Sequence, residues 1–313
     1  MTDVVNPRIC AAFDIGTNSV KLLVADLADG VRMLYEETIV TRLGAGMLPN
    51  NPRLWESPMH RTIEALRPLA AKATELGAED RISAVGTAAL REAANRDEFV
   101  RRLRDACGLN VRVISGEEEA RLSFMAVMLD PQWRNRGALM VIDIGGGSTE
   151  IITGTVGASA PLQRTSVPMG AVKLTERFIH ADPPAVKELA AATTAVHNAF
   201  SEVNLPSPGD FTVVGVGGTV TNVAAIARGR FCAPDELHGT VVSQEQIEQV
   251  MQLLEGCGLD ERKTLPGLDP RRADIIVGGV ILLNMALGST GYGKLEVSTR
   301  GLRWGVLYDS FLN

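Results

Sequence analysis

The sequence predicts an α/β protein made of two duplicated domains, each a mixed sheet in the order βββ-α-β-α, facing one another across a cleft. Two observations carry this. The stretch "DIGTNSVKLL" (Asp14–Leu23) is written again as "DIGGGSTEII" (Asp143–Ile152), with Asp14/Asp143, Ile15/Ile144, Gly16/Gly145 and Ser19/Ser148 matched and Lys21 falling opposite Glu150. Each copy also opens a similar succession of strand-like and helix-like runs, which makes this a duplication at domain scale and not a short solenoid repeat. The expected domains are 1–130 and 131–299, with a C-terminal helix over about 300–313 returning to complete the first.

The elements follow in order. Ile9–Asp14, Ser19–Asp26 and Val31–Thr41 read as strands, and "LADG" supplies a turn before the third. "SPMHRTIEALRPLAAKATELG" reads as a helix with Ser57 as N-cap, Pro58 in the first turn and Gly77 as its stop, although Pro68 falls inside it. "RISAVGT" is a strand, "AALREAANRDEFVRRLRDACG" a helix, "VRVIS" a strand and "GEEEARLSFMAVML" a helix. After "DPQWRNRG" the pattern restarts with strands at Ala138–Asp143, Thr149–Thr155 and Pro161–Val167. Helices around Ala171–Ile179 and Ala185–Glu202, the strand "FTVVGV" and a helix opening at "GGTVTNVAAIA" complete it. Two such domains would enclose a cleft, and clefts between domains are favoured ligand sites.

Composition narrows the function. With 313 residues, 45% hydrophobic and 22% charged, the chain can bury a core in each domain and is not of disordered composition. A net charge of −6 argues against a general nucleic-acid binder. Cys10, Cys107, Cys232 and Cys257 form no CxxC pair, and His60, His180, His197 and His238 show no zinc spacing. The start shows no signal-peptide pattern, and the apolar run Ile275–Gly288 is shorter than a membrane span and contains Asn284. A cytoplasmic protein without membrane or nucleic-acid partners is expected.

The chemistry lies at the two turns. A tight turn rich in Gly and Ser/Thr exposes backbone N–H groups at one spot and makes a nest for phosphate oxygens. Gly145, Gly146, Gly147 and Ser148 suit this, and the first turn around Asn18 and Ser19 could cradle an anion from the opposite wall. Asp14 and Asp143 end apolar strands, where a carboxylate needs a partner or a hard cation such as Mg²⁺. A third glycine cluster, Gly217, Gly218 and Thr219, would place N–H groups at a helix N-terminus. It lacks the dinucleotide fingerprint, because Val220 stands where the last glycine would be. The acids of "SGEEEARLSF" either complement a helix dipole or supply a general base, and Arg91 could clamp a phosphate. Lys21 could add positive charge to the first turn or anchor its hairpin.

Taken together, "FDIGTNSVKLLV", "GTAALREAANRDEFV", "VISGEEEARLSF", "VIDIGGGSTEI", "VPMGAVKLTERF", "GVGGTVTNVAAI", "RRADIIVGGVILL" and "VSTRGLRWGVL" run in order along nearly the whole chain. In these motifs the sequence resembles the exopolyphosphatase/guanosine pentaphosphate phosphatase (Ppx/GppA) family, a branch of the actin-like ATPase superfamily. The resemblance implies a ribonuclease-H-like (actin-like) fold for both domains and hydrolysis of a phosphoanhydride that releases terminal orthophosphate with Mg²⁺, or Mn²⁺, assistance. It implies Glu119, just before Ala120 and beside Glu118, as the catalytic glutamate, Glu150 as the second, and Asp143 as the metal-associated aspartate; with the strand-end carboxylate Asp14, Asp143 and Glu150 are the residues expected around the metal. Phosphate contacts are expected from Asn18, Ser19, Arg91, Gly145, Gly146, Gly147, Ser148, Gly217, Gly218 and Thr219.

The chain resembles the short, two-domain type, without the C-terminal helical region of longer members, which bears on chain-length preference. A homodimer is expected by the same resemblance. Inorganic polyphosphate is the substrate expected first, and guanosine pentaphosphate is the alternative. Rival functions are a sugar or acetate kinase of the same fold, a non-catalytic sensor of guanosine tetra- or pentaphosphate, and an actin-like assembly protein.

Overall fold

The computed structural model describes residues 8–48, 50–158, 163–206 and 209–312. The chain divides into two compact units, residues 1–122 with 302–313, and residues 123–301.

In the first unit, β1 (Ile9–Ile15), β2 (Ser19–Asp26) and β3 (Arg32–Val40) form consecutive antiparallel hairpins. α1 (Glu56–Glu75) then leads to β4 (Ile82–Gly86), α2 (Ala88–Glu92), α3 (Arg96–Cys107), β5 (Val111–Val113) and the start of α4 (Gly116–Met128). β4 and β5 add in parallel, giving the sheet order β3-β2-β1-β4-β5. The period-two alternation of β1 sends Ala11, Phe13 and Ile15 into a core with Leu66, Leu69, Phe99 and Leu103 of α1 and α3. Cys10 and Ala12, on the other face, are buried too, because the helix Leu302–Phe311 lies against β1, β2 and β4. Its Arg303 is buried and ion-pairs with Glu36 of β3.

Two expectations in this unit need correction. The stretch after "VGT" is not one helix but two, because Ala93 is extended (φ −68°, ψ 126°) and Asn95 serves a tertiary contact. The Asn95 side chain accepts from the Leu54 N–H at 2.9 Å and donates to the Leu54 carbonyl at 3.0 Å, so the chain leaves the helix to make that pair. α1 is capped at Trp55 and not Ser57, which lies within the first turn; it runs through Pro68 and stops before Gly77 (φ 92°).

The second unit repeats the plan. β6 (Ala138–Ile144), β7 (Thr149–Thr155) and β8 (Gln163–Val167) are antiparallel neighbours, and Pro161 and Leu162, expected at the start of the third strand, lie outside the described residues. α5 (Ala171–Phe178) and α6 (Val186–Ser201) precede β9 (Thr212–Val216), which pairs with β6 in parallel as β4 does with β1. α7 (Gly218–Ala227), α8 (Pro234–Leu237), β10 (Val241–Ser243), α9 (Gln244–Glu255), α10 (Leu259–Lys263), α11 (Ile276–Thr290) and β11 (Lys294–Val297) complete the unit. The order β10-β11-β9-β6-β7-β8 contains the first sheet's arrangement with one extra edge strand, so the two sheets share the duplicated α/β plan. α11, apolar on nearly every side, is a core helix against α5, α6, α7 and α9. Among the described residues no helix is long and apolar enough to cross a membrane.

A buried ion cluster supports this unit. Asp130, 1% exposed, faces Arg300 Nη1 at 3.1 Å and His238 Nε2 at 3.3 Å, and its Oδ1 accepts from the Gln132 N–H at 2.9 Å. Burial alone would raise the Asp130 pKa, but the hydrogen bonds to His238 and Gln132 and the charge of Arg300 outweigh it and hold the carboxyl below its ordinary value. A depressed folded-state pKa contributes stability at pH values above the unfolded pKa and loses it as pH falls through the folded value. Asp130→Asn is therefore expected to cost about 3 kcal/mol in urea unfolding at neutral pH. The gap to wild type should close below about pH 4.

Candidate functional site

In the first unit the predicted residues gather beyond the carboxyl ends of β1, β4 and β5, where ligands bind in α/β sheets. The turn after β1 closes when the Gly16 N–H donates to the Ser19 carbonyl at 3.0 Å. The Thr17 carbonyl accepts from Gly44 N–H at 2.9 Å, and the Asn18 carbonyl from Thr41 and Arg42 N–H at 3.0 and 2.8 Å. A planar trans peptide points its N–H opposite its C=O, so tying back the Thr17 carbonyl turns the Asn18 N–H to the other side. Asn18 is 5% exposed, yet among the described residues neither its Nδ2 nor its Oδ1 has a hydrogen-bond partner, and buried Thr17 Oγ1 has none either. A buried amide left unsatisfied costs about 1–3 kcal/mol, so these atoms point to a polar ligand at this turn.

Asp14 and Lys21 are cross-strand partners in the β1–β2 register and form an ion pair at 2.7 Å, with Asp14 only 3% exposed. Lys21 thus neutralises the aspartate at the strand end. Thr87 N–H donates to the Ile15 carbonyl at 3.2 Å, fastening the start of α2 to the first turn. From α2, Arg91 Nη1 reaches Glu119 Oε2 at 2.8 Å and the Ile114 carbonyl at 3.1 Å. The glutamates of α4 are thereby distinguished. Glu118 ion-pairs with Arg112 at the surface, whereas Glu119, its side chain 12% exposed, meets Arg91.

In the second unit the equivalent turn repeats the closing bond, Gly145 N–H to the Ser148 carbonyl at 3.0 Å. Here the start of α5 ties the carbonyls back. Gly145 O accepts from Ala171 N–H at 2.9 Å and Gly146 O from Val172 N–H at 3.0 Å. The N–H groups of Gly146 and Gly147 therefore face away from α5, available to an anion. The carboxylates differ from those of the first turn. Asp143 pairs in register with Glu150, which is 1% exposed, so two acids occupy the positions that Asp14 and Lys21 hold in the first unit. Ser123 Oγ donates to Asp143 Oδ2 at 2.9 Å and Ser166 Oγ to Glu150 Oε1 at 3.0 Å. Like charges directly opposite on a sheet are destabilising, and a cation relieves them.

The third glycine cluster adjoins this pair, since a Cβ added at Gly217 would lie 3.1 Å from Asp143 Oδ1. Gly218 and Thr219 open α7, whose first N–H groups have no partner within the helix. Against them lies a residue that the sequence did not single out. The Arg272 guanidinium packs directly on Gly218, where any side chain would overlap it. Burial pushes the Arg272 pKa down, and Asp269 opposes that shift. A guanidinium at the positive end of a helix is mutual repulsion unless an anion joins them. Nothing local in "PRRADIIVGG" announces this contact. Among the described residues no three His, Cys, Asp or Glu side chains cluster at metal-binding spacing, so a cation here would rest on Asp143 and Glu150 with water or ligand oxygens.

Comparison with known proteins agrees in one direction. The sequence model of the Ppx/GppA phosphatase family matches residues 23–313. Exopolyphosphatase 2 of Mycobacterium tuberculosis is 35% identical over 288 residues, covering 87% of this chain and 88% of that protein. The crystal structure of the Aquifex aeolicus member of the Ppx/GppA family is 34% identical with a TM-score of 0.79, covering 97% of both chains. An exopolyphosphatase from Cytophaga hutchinsonii is 26% identical with a TM-score of 0.83, over 96% of each chain.

Proposed function

The chain belongs to the Ppx/GppA phosphatase family, and from that premise we propose that it is a phosphoanhydride hydrolase releasing terminal orthophosphate from inorganic polyphosphate. The observation that carries the reading is the pair of matched anion turns with opposite chemistry behind them: Asp14 with Lys21 in one, Asp143 with Glu150 in the other. The Gly145–Ser148 turn, the N-terminus of α7 and Arg272 receive phosphate oxygens in the second unit, and Asn18 and Ser19 receive them in the first. Asp143 and Glu150 fit Mg²⁺ as two adjacent carboxylates, whereas Asp14 is already neutralised by Lys21. A bound Mg²⁺ would offset phosphate charge as the anhydride breaks.

Glu119 takes a proton from water as the water oxygen attacks the terminal phosphorus. The anhydride P–O bond then breaks, and the shortened polyphosphate leaves with its electron pair. Arg91, held by Glu119 without substrate, shifts its free donors toward the phosphoryl oxygens and sets the carboxylate facing the water. Most of the barrier lowering in such a transfer comes from positioning and charge stabilisation.

The test is orthophosphate release with Mg²⁺ from polyphosphates of several lengths and from guanosine pentaphosphate. Release from polyphosphate is expected. A preference for the nucleotide would change the substrate and keep the mechanism, while no release from any of them would overturn the hydrolase reading.

A further inference from the structure

One face of α7 is occupied by a single stretch of chain. Gly218, Asn222 and Ala225 recur at helical spacing, and Gly267–Arg272 runs against them toward the helix N-terminus. Gly267 (φ 93°) lies so close to the Ala225 backbone that a Cβ would overlap it. Next, the Asp269 N–H donates to Asn222 Oδ1 at 2.7 Å, and Asn222 Nδ2 donates to the Gly218 carbonyl at 2.8 Å. The amide's orientation is fixed by its partners, because a backbone N–H can only donate and a carbonyl can only accept. Asp269 in turn caps the 3-10 turn Pro270–Arg272: its Oδ1 accepts the Arg271 N–H at 3.0 Å and its carbonyl the Arg272 N–H at 2.9 Å. That turn delivers Arg272 onto Gly218.

The side chain of Asn222, 8% exposed, is thus a strut between the peptide that begins α7 and the turn that carries the arginine. Something must hold the two together. The guanidinium and the helix N-terminus carry the same sign, and burial disfavours the charge. Buried Leu268 and Ala273 anchor the two ends of the turn in the core, and the Asn222 amide is what ties the Asp269 peptide between them to the start of α7 and so sets how closely Arg272 sits on Gly218. We propose that Asn222 is a positioning residue for phosphate recognition, one that touches no substrate and acts by keeping Arg272 against the N-terminus of α7. The proposal rests on the reading that this N-terminus receives a phosphate.

The test is a double-mutant cycle of Asn222→Ala and Arg272→Ala, read by titration calorimetry with inorganic triphosphate without divalent ions and by steady-state orthophosphate release. Asn222→Ala is expected to weaken triphosphate binding and raise KM about tenfold, with kcat within about threefold of wild type. In the Arg272→Ala background it should add little to the loss. Asn222→Asp keeps the side-chain volume but cannot donate to the Gly218 carbonyl, and it should weaken binding as well. This second variant serves if the alanine protein does not fold. Unchanged binding in a folded Asn222 variant would overturn the proposal, as would losses that simply add in the double mutant. A wild type that binds triphosphate but releases no orthophosphate would sink the hydrolase reading and leave this inference to be judged on binding. A wild type that does not bind triphosphate at all would overturn both.

Discussion

Glu119→Gln is expected to slow polyphosphate turnover by about 10²–10⁴-fold, the usual contribution of a general base, while KM stays within a few-fold of wild type. The asymmetry follows from the Arg91 contact. Arg91 Nη1 is shared between Glu119 Oε2 and the Ile114 carbonyl. Glutamine still offers a carbonyl oxygen to that guanidinium, so Arg91 is expected to keep its place and KM with it. What glutamine cannot do is accept a proton from water. Glu119→Ala should lose turnover similarly but release Arg91, so its KM should fall or hold, not rise. Glu118→Gln provides the control. Its partner is Arg112 at the surface, and surface pairs contribute little, so activity should stay within about twofold of wild type. Steady-state kinetics on the three variants checks all of this. A Glu119→Gln enzyme whose kcat is intact and whose KM alone rises would show Glu119 to be a binding residue, and a large loss in Glu118→Gln would move the base by one position.

The duplicated turns were legible because their signals are local. Asp-Ile-Gly followed by a short polar turn fixes where a strand ends and where backbone N–H groups collect, and both copies fold with the same Gly N–H to Ser C=O closing bond. The hairpin that opens each domain was legible for a related reason: consecutive strands with short turns pair as neighbours, so βββ at each start became a double hairpin. Contacts between distant segments were not legible. The break between α2 and α3 arises from the attachment of Asn95 to Leu54, and propensity over "AALREAANRDEF" is blind to it. Arg272 comes from a turn some fifty residues beyond Gly218 in the sequence, and only the fold lays it on that glycine. The acidic run of α4 was ambiguous for the same cause, since Glu118 and Glu119 are equivalent to a helix dipole and are separated by the arginines that tertiary structure brings to them.

Glu150→Lys, which rewrites the second turn with the chemistry of the first, is expected to keep the fold and abolish the divalent-cation response together with turnover. In the first unit an aspartate at the end of β1 faces a lysine across the hairpin at 2.7 Å. In the second, the same register places Asp143 opposite Glu150. Lysine at this register position would face Asp143 as Lys21 faces Asp14, so unfolding free energy should stay within about 1 kcal/mol of wild type. Its function should not survive, because the ammonium occupies the place where a cation would meet the two carboxylates and the phosphate. Wild type is expected to gain thermal stability with added Mg²⁺ by mass action, and Glu150→Lys to gain none. Turnover should fall by at least about 10³-fold, the scale of losing a principal electrostatic stabiliser. Because Glu150 is fully buried, Glu150→Gln supplies a variant of unchanged size; it should weaken the Mg²⁺-dependent shift in midpoint without removing Asp143. A Glu150→Lys protein that is still stabilised by Mg²⁺ would place the cation elsewhere. One that keeps its turnover would mean that the unlike endings of the two turns, Lys21 and Glu150, do not divide the work between the units.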